Sequence, residues 1–341
     1  MKREVYIPNR LNWIDWAKVI AISLVVFGHI PQVPGSFPQS YIVILHMPLF
    51  FFISGYLTKK EVINIETLKK YWHTLVIPYF CYNLLFYPYW IARHYIEVPN
   101  GGFYSYIKPL LGTIMLQGNS LYYEPLNGVT WFVASLIGYK LILSICNRYK
   151  KGYILILVLI VFSSIVYIHN QFYLYIRDLT PVGFLKCFPF YFIGYYCKHM
   201  GYISTNVHKY DWGLGVLCIG LSIGIFFIER NVDNMLMYGI RYWLVSLFAI
   251  MGVIGICKYL DRIHSSVIDN LSIGTIVIMG FHFILIGSTN YILEHLLHLE
   301  GRIIYNWWVA CFLVVIFEAM IYPLIIIFKN KAVFLLGKRR Q

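Results

Sequence analysis

Residues 10–57 read RLNWIDWAKVIAISLVVFGHIPQVPGSFPQSYIVILHMPLFFFISGYL. Two apolar segments flank a Pro-rich turn that carries no charge. Asp15, Lys18 and His29 lie in the first segment, and His46 lies in the second. Ionisable groups inside a lipid-spanning helix cost free energy, so each one is a functional candidate. At about 100° and 1.5 Å per residue, the Lys18–His29 spacing returns to one helix face with a rise of roughly 16 Å. Asp15 falls one turn before Lys18 on the same face. One helix thus presents a charged end and an imidazole end along a single stripe.

The rest of the chain agrees with a membrane reading. Its 341 residues are 59% hydrophobic and 13% charged, where a soluble domain carries about 25% charged residues. The fold expected is all-α: a polytopic membrane helical bundle of about ten transmembrane helices in a single domain over residues 1–341. The spans fall at about 11–31, 41–57, 73–93, 128–146, 152–169, 181–199, 212–229, 238–258, 271–291 and 303–328. The first segment has no small-residue cleavage site after it, so it is expected to be retained as a helix.

The net charge of +13 does not point to nucleic acid, because the bases cluster in short connections. One set of connections holds Lys59, Lys60, Lys69, Lys70, Arg148, Lys150 and Lys151, together with the basic tail; the other holds Arg93, Lys108, Arg177, Arg230 and Arg302. That asymmetry places both termini in the cytoplasm, and it predicts a multi-pass protein of the cell membrane. The tail KNKAVFLLGKRR then meets anionic lipid headgroups. The seven cysteines show no metal-type spacing. His295 and His298 share a helical face but have no further ligands in sequence, so no metal site is expected.

With that orientation, Asp15, Lys18, Lys140 and Glu318 lie in the inner half of the membrane, and His29, His46, Lys186 and Arg241 in the outer half, with His282 mid-helix. A vertical polar pathway through the bundle would spare all of them from lipid. The stretch 106–116 is too short to cross alone and is expected to lie in the interface or to re-enter. Tyr122, Tyr123 and Glu124 in the same connection are candidates for substrate contact. Ser54 precedes Gly55, and this small pair suits close helix packing better than nucleophilic chemistry.

Several segments together resemble the acyltransferase-3 membrane proteins. IDWAKVIAISLVVFGH matches their D-G-x-R-x(10)-H first helix at Asp15 and His29, with Lys18 in place of the usual Arg. Pro48–Tyr56 resembles P-L-F-F-x-x-S-G-[YF], and Thr130–Gly138 resembles the W-F-L-x-x-L helix. Pro189–Lys198 resembles F-F-x-x-G-Y. Ser272–Ile286 resembles S-x-x-x-Y-L-x-H, with His282 on the histidine. The match runs in order over nearly the whole chain and is nearest to the fucose 4-O-acetylase-like branch. The Lys18 substitution is its main departure.

The resemblance implies O-acyl transfer from acyl-CoA, usually acetyl-CoA, to a hydroxyl of a surface glycan or a lipid-linked sugar, with no tightly bound cofactor. His29 and His282 are then the catalytic candidates. His29 would be the base, and His282 would orient it or donate to the oxyanion. Lys18 would meet the CoA phosphates as a point charge, held by Asp15. His46, Trp131 and Arg241 are the candidates for substrate contact. Two other classes compete with this reading. Intramembrane His, Lys and Glu also suit a transporter or flippase, although no related halves are visible. A sensing domain would keep the fold without turnover.

Overall fold

The computed structural model describes residues 11–98, 102–115, 126–168, 183–203, 208, 210–228, 235–298 and 303–338. Among them the regular elements are helical, apart from one isolated bridge between Gln32 and Tyr305. The helices are α1 (Asn12–His29), α2 (Phe37–Leu57), α3 (Ile65–Tyr71), α4 (Ile77–Glu97), α5 (Phe103–Ile114), α6 (Trp131–Cys146) and α7 (Gly152–Ile168). They continue as α8 (Phe184–His199), α9 (Asp211–Ile228), α10 (Met235–Leu260), α11 (Ser266–Ile273), α12 (Thr275–Leu296) and α13 (Trp307–Lys331).

All ten apolar segments are helical where described, but they are not all equivalent. Seven helical stretches are long and apolar enough to cross a membrane: Phe37–Leu57, Ile65–Glu97, Gly128–Cys146, Asp211–Ile228, Gly239–Leu260, Thr275–Leu296 and Trp307–Lys331. Of the other three, α7 has 17 residues and α8 has 16. In α1, Asp15 and Lys18 lower the apolarity. The span expected at 271–291 begins after a break, where Gly274 separates α11 from α12. The span expected at 73–93 runs longer, from α3 through a π turn at Trp72–Val76 into α4. Pro78 has no N–H to offer the carbonyl of Thr74, and the wider turn takes up that missing bond. The stretch at 106–116 is a short helix, α5. It is docked on α4 by Tyr79 donating to Thr113 O at 2.9 Å and Tyr87 donating to Tyr106 O at 2.9 Å.

α1 is the central element. It packs against α2, α10, α11, α12 and α13. Its Val19, Ile22 and Val25 join a core with α6, α8, α12 and α13, and its Trp13, Ala17 and Ala21 join a second core with α2, α8 and α10. Leu11 cannot cap α1, so a distant loop does so. Asp261 accepts from the backbone N–H of Trp13 at 2.7 Å, and Asn12 Nδ2 donates to the carbonyls of Asp261 and Ile263. Those bonds satisfy helix-end groups that lipid would leave bare.

α2 and α8 cross with their backbones in contact. A Cβ at Gly55 would overlap the Tyr191 carbonyl, and one at Gly194 would overlap the Phe52 carbonyl. This is the close packing expected of the Ser54–Gly55 pair. Pro48 inside α2 leaves the Ile44 carbonyl without its helical donor. Ser246 of α10 supplies one, with Oγ donating at 3.1 Å. The outward faces are apolar, with Leu157, Val161 and Ile165 on α7 and Phe312, Val315 and Met320 on α13 all exposed. Exposed apolar area on this scale fits a lipid-facing belt.

The glycine crossing makes a measurable prediction. Gly194→Ala forces backbone apart and costs about 1–3 kcal/mol or more, lowering the melting temperature of the detergent-purified chain. Gly213→Ala, with nothing within 4 Å of the added carbon, should melt like the parent. Equal melting of all three proteins would refute the tight crossing.

Candidate active site

Three imidazoles meet where α1, α2 and α12 converge. The His29 and His282 ring centroids are 5.0 Å apart, and those of His29 and His46 are 6.2 Å apart. Phe283 stands edge-on to His29 at 4.7 Å. His282 is fully buried and His46 nearly so.

Helical geometry sets the proton positions. Each ring folds back on the carbonyl four residues earlier: His29 Nδ1 lies 2.8 Å from Val25 O, His46 Nδ1 2.7 Å from Ile42 O, and His282 Nδ1 3.0 Å from Ile278 O. A carbonyl only accepts, so each neutral ring carries its proton on Nδ1. His282 Nε2 is then a bare lone pair. It sits 3.2 Å from His29 Nδ1 and accepts from it. His29 Nε2 is left unprotonated, and such a nitrogen can take a proton.

His29 lines a narrow cleft with Ile22, Val25, Met47, Trp131 and Met279 among its walls. Ile22 and Val25 occupy the stripe between Lys18 and His29, so the face joining the two ends of α1 is apolar and borders the cleft. Trp131 therefore lines the same cleft as His29.

A second station lies at the start of the stripe. Ser272 Oγ donates to the Asp15 carboxylate, and Lys18 Nζ donates to the Ser272 carbonyl. Ser272 closes α11, just before α12, and α12 carries His282 ten residues on. α1 thus runs parallel to the α11–α12 stretch and is fastened to it twice, to α11 at the charged end and to α12 at the imidazole end.

Other expected residues lie apart from the histidines. Arg241 belongs to α10, where Nη2 donates to Phe226 O at 2.6 Å and the guanidinium covers the Phe226 ring at 4.7 Å. Glu318 accepts from Ser23 Oγ at 2.7 Å. Lys140 reaches Thr58 Oγ1 at 3.3 Å, and Thr58 in turn meets the Tyr191 hydroxyl at 3.0 Å. The polar groups expected to form one vertical pathway are therefore divided among local pairs, since each helix satisfies its own buried groups across the nearest interface. Tyr122, Tyr123 and Glu124 lie outside the described residues. Among the described residues, no group of three or more His, Cys, Asp or Glu side chains could hold a metal ion.

Two asparagines were not anticipated from sequence. Asn127 and Asn83 are fully buried. Asn127 Nδ2 donates to Gly280 O at 3.1 Å, two residues before His282, and its N–H donates to Asn83 Oδ1 at 3.0 Å. Asn83 Nδ2 donates to Thr130 Oγ1 at 3.0 Å. This network pins the turn that delivers Trp131 onto the helix that delivers His282. The Asn-Gly pair ahead of an apolar run was its sequence signal. Asn127→Ala removes the side-chain bond to Gly280 O, which is worth about 1–3 kcal/mol at a buried position. Its melting temperature should fall well below the parent's, and unchanged melting would remove Asn127 from this role.

Comparison with known proteins adds one finding. A family model described as an acyltransferase domain, of the acyltransferase-3 type, matches residues 11–325. No curated protein and no solved structure matches the chain.

Proposed function

The chain belongs to the acyltransferase-3 family, and on that premise we propose that it is an O-acetyltransferase of the fucose 4-O-acetylase-like branch, working in the cell membrane. It moves an acetyl group from acetyl-CoA to a hydroxyl of a surface carbohydrate or its lipid-linked precursor. The observation that carries this reading is the imidazole pair, which leaves His29 Nε2 bare beside the cleft.

In the proposed reaction His29 Nε2 takes the proton of the sugar hydroxyl as its oxygen attacks the thioester carbonyl. The ring then carries a proton on each nitrogen. Its Nδ1–H is shared by two acceptors, Val25 O and His282 Nε2, and both favour the charged ring. Collapse of the tetrahedral adduct breaks the carbon–sulfur bond and forms the ester. The departing thiolate takes the proton from His29 Nε2, leaving CoA–SH and the neutral base. Of the two roles expected for His282, the geometry favours orienting His29, because the Nδ1 proton of His282 is engaged by Ile278. An oxyanion donor would need that proton free.

Lys18 supplies a cation at the other end of the stripe for the CoA phosphates. Asp15 and Ser272 hold it in place. The apolar face of Ile22 and Val25 then lies along the pantetheine arm, whose length suits a separation of roughly 16 Å.

Two experiments test this. His29→Ala should lower acetyl transfer from radiolabelled acetyl-CoA by about a hundredfold or more in protein that still inserts and elutes as a folded species. Full activity in that variant would discard the base assignment. Lys18→Ala should weaken acetyl-CoA binding by about tenfold, the scale of one charge-assisted contact, while Lys18→Arg keeps appreciable affinity. Equal affinities across the series, read by calorimetry, would discard the phosphate contact. Deleting the chain should also strip O-acetyl groups from the cell's surface glycan; a transporter or a sensor would release no CoA in the purified assay.

A further inference from the structure

The start of α8 concentrates positive charge, with no acidic residue among the described residues to balance it. Its N-cap is Gly183, and neither a capping side chain nor an acidic residue stands in its first turn. Instead the first turn carries Lys186. A cation at a helix N-terminus opposes the helix dipole, whereas an anion there is stabilised. Lys186 Nζ rests over the Tyr242 ring, 4.2 Å from its centroid. Among the described residues no carboxylate and no hydrogen-bond acceptor pairs with it. A half-buried ammonium whose partner is a ring face leaves its charge open to an anion.

The same turn borders the reaction cleft. Gly183 adopts φ 71°, and a Cβ on it would come within 2.9 Å of the Trp131 ring. Only glycine brings the backbone flat against that indole in this conformation. Trp131 and His29 are walls of one cleft. The anion-seeking turn therefore packs against Trp131, at the imidazole end of the stripe.

We propose that Lys186 and the N-terminal turn of α8 bind a phosphate group of the acyl acceptor. This deepens the function proposed above and rests on it. Lys18 already serves the donor's phosphates, so a second phosphate site at the other end belongs to the second substrate. The acceptor is then a sugar phosphate or diphosphate, whose charged group docks on Lys186 and whose hydroxyl faces His29 Nε2. The phosphate can come from a lipid-linked sugar in the membrane or from a soluble nucleotide sugar.

The test uses the full chain in nanodiscs with three probes: farnesyl diphosphate, UDP-glucose and coenzyme A. One or both of the first two should bind the parent, more weakly as salt rises. Lys186→Gln and Lys186→Met should weaken that binding by about tenfold or more, the effect of one charge-assisted hydrogen bond, and Lys186→Arg should retain it. Farnesyl diphosphate binding alone identifies the lipid-linked source, and UDP-glucose binding the soluble one. Lys186→Met should also gain no stability from the probe, whereas the parent should melt higher with it. Coenzyme A binding should be the same in parent and variants. The subsite is overturned if neither phosphate probe binds the parent, if the Gln and Met variants bind like the parent, or if the variants lose coenzyme A instead. Lys186-dependent binding in a protein that releases no CoA from acetyl-CoA would sink the proposed function and leave the subsite standing.

Discussion

Lipid gives a polar side chain no solvent to fall back on, and that constraint shapes this bundle. The first helix carries a carboxylate, an ammonium and an imidazole. Each finds its partner on the same stretch of chain, from Ser272 to His282. Two fastenings, at Ser272 of α11 and at His282 of α12, hold this stretch beside α1. Removing either would take a hydrogen bond from a charge or an imidazole in a medium of low polarity, where the loss is largest. The requirement that makes these residues costly also places them accurately.

The remaining helices hold this pair in register. The crossing of α2 and α8 depends on two glycines, because van der Waals contact rather than hydrophobic exclusion drives helix association in lipid. α10 closes over the other side of α2 and supplies the Ser246 hydroxyl to the carbonyl freed by Pro48. That bond stabilises α2 within a turn of His46. The Asn83–Asn127–Thr130 network does the same for the wall opposite, where it couples Trp131 to α12 through the Gly280 carbonyl. Scaffold and site therefore share their hydrogen bonds.

The imidazole arrangement differs from a Ser-His-Asp relay in a way that matters for chemistry. Among the described residues no carboxylate stands behind His29; its supporting partner is a second neutral imidazole, itself held by a backbone carbonyl. Such a partner stabilises the protonated base less strongly than an ion pair would. In a membrane interior that restraint is useful, since a buried carboxylate needs its own compensation. The Phe283 ring and the wall of Trp131 enclose the His29 ring on two sides.

Much of the fold was legible in the sequence. The long apolar runs declared the helices, because a lipid-spanning segment has to satisfy its backbone internally and over a fixed thickness. The stripe on α1 was legible for a similar reason, since helical periodicity places Asp15, Lys18 and His29 on one face whatever surrounds them. His282 stood out through its motif. Other features depend on which helices become neighbours, and one chain segment read alone carries no trace of that. The break at Gly274, the capping of α1 by Asp261, the role of Ser272, the buried asparagines and the separation of Glu318, Lys140 and Arg241 from the histidines are all of this kind. Sequence periodicity determined which groups share a face of each helix. Only tertiary packing decided which of those faces meet, because a hydrogen bond between distant segments depends on a docking geometry that no local spacing encodes.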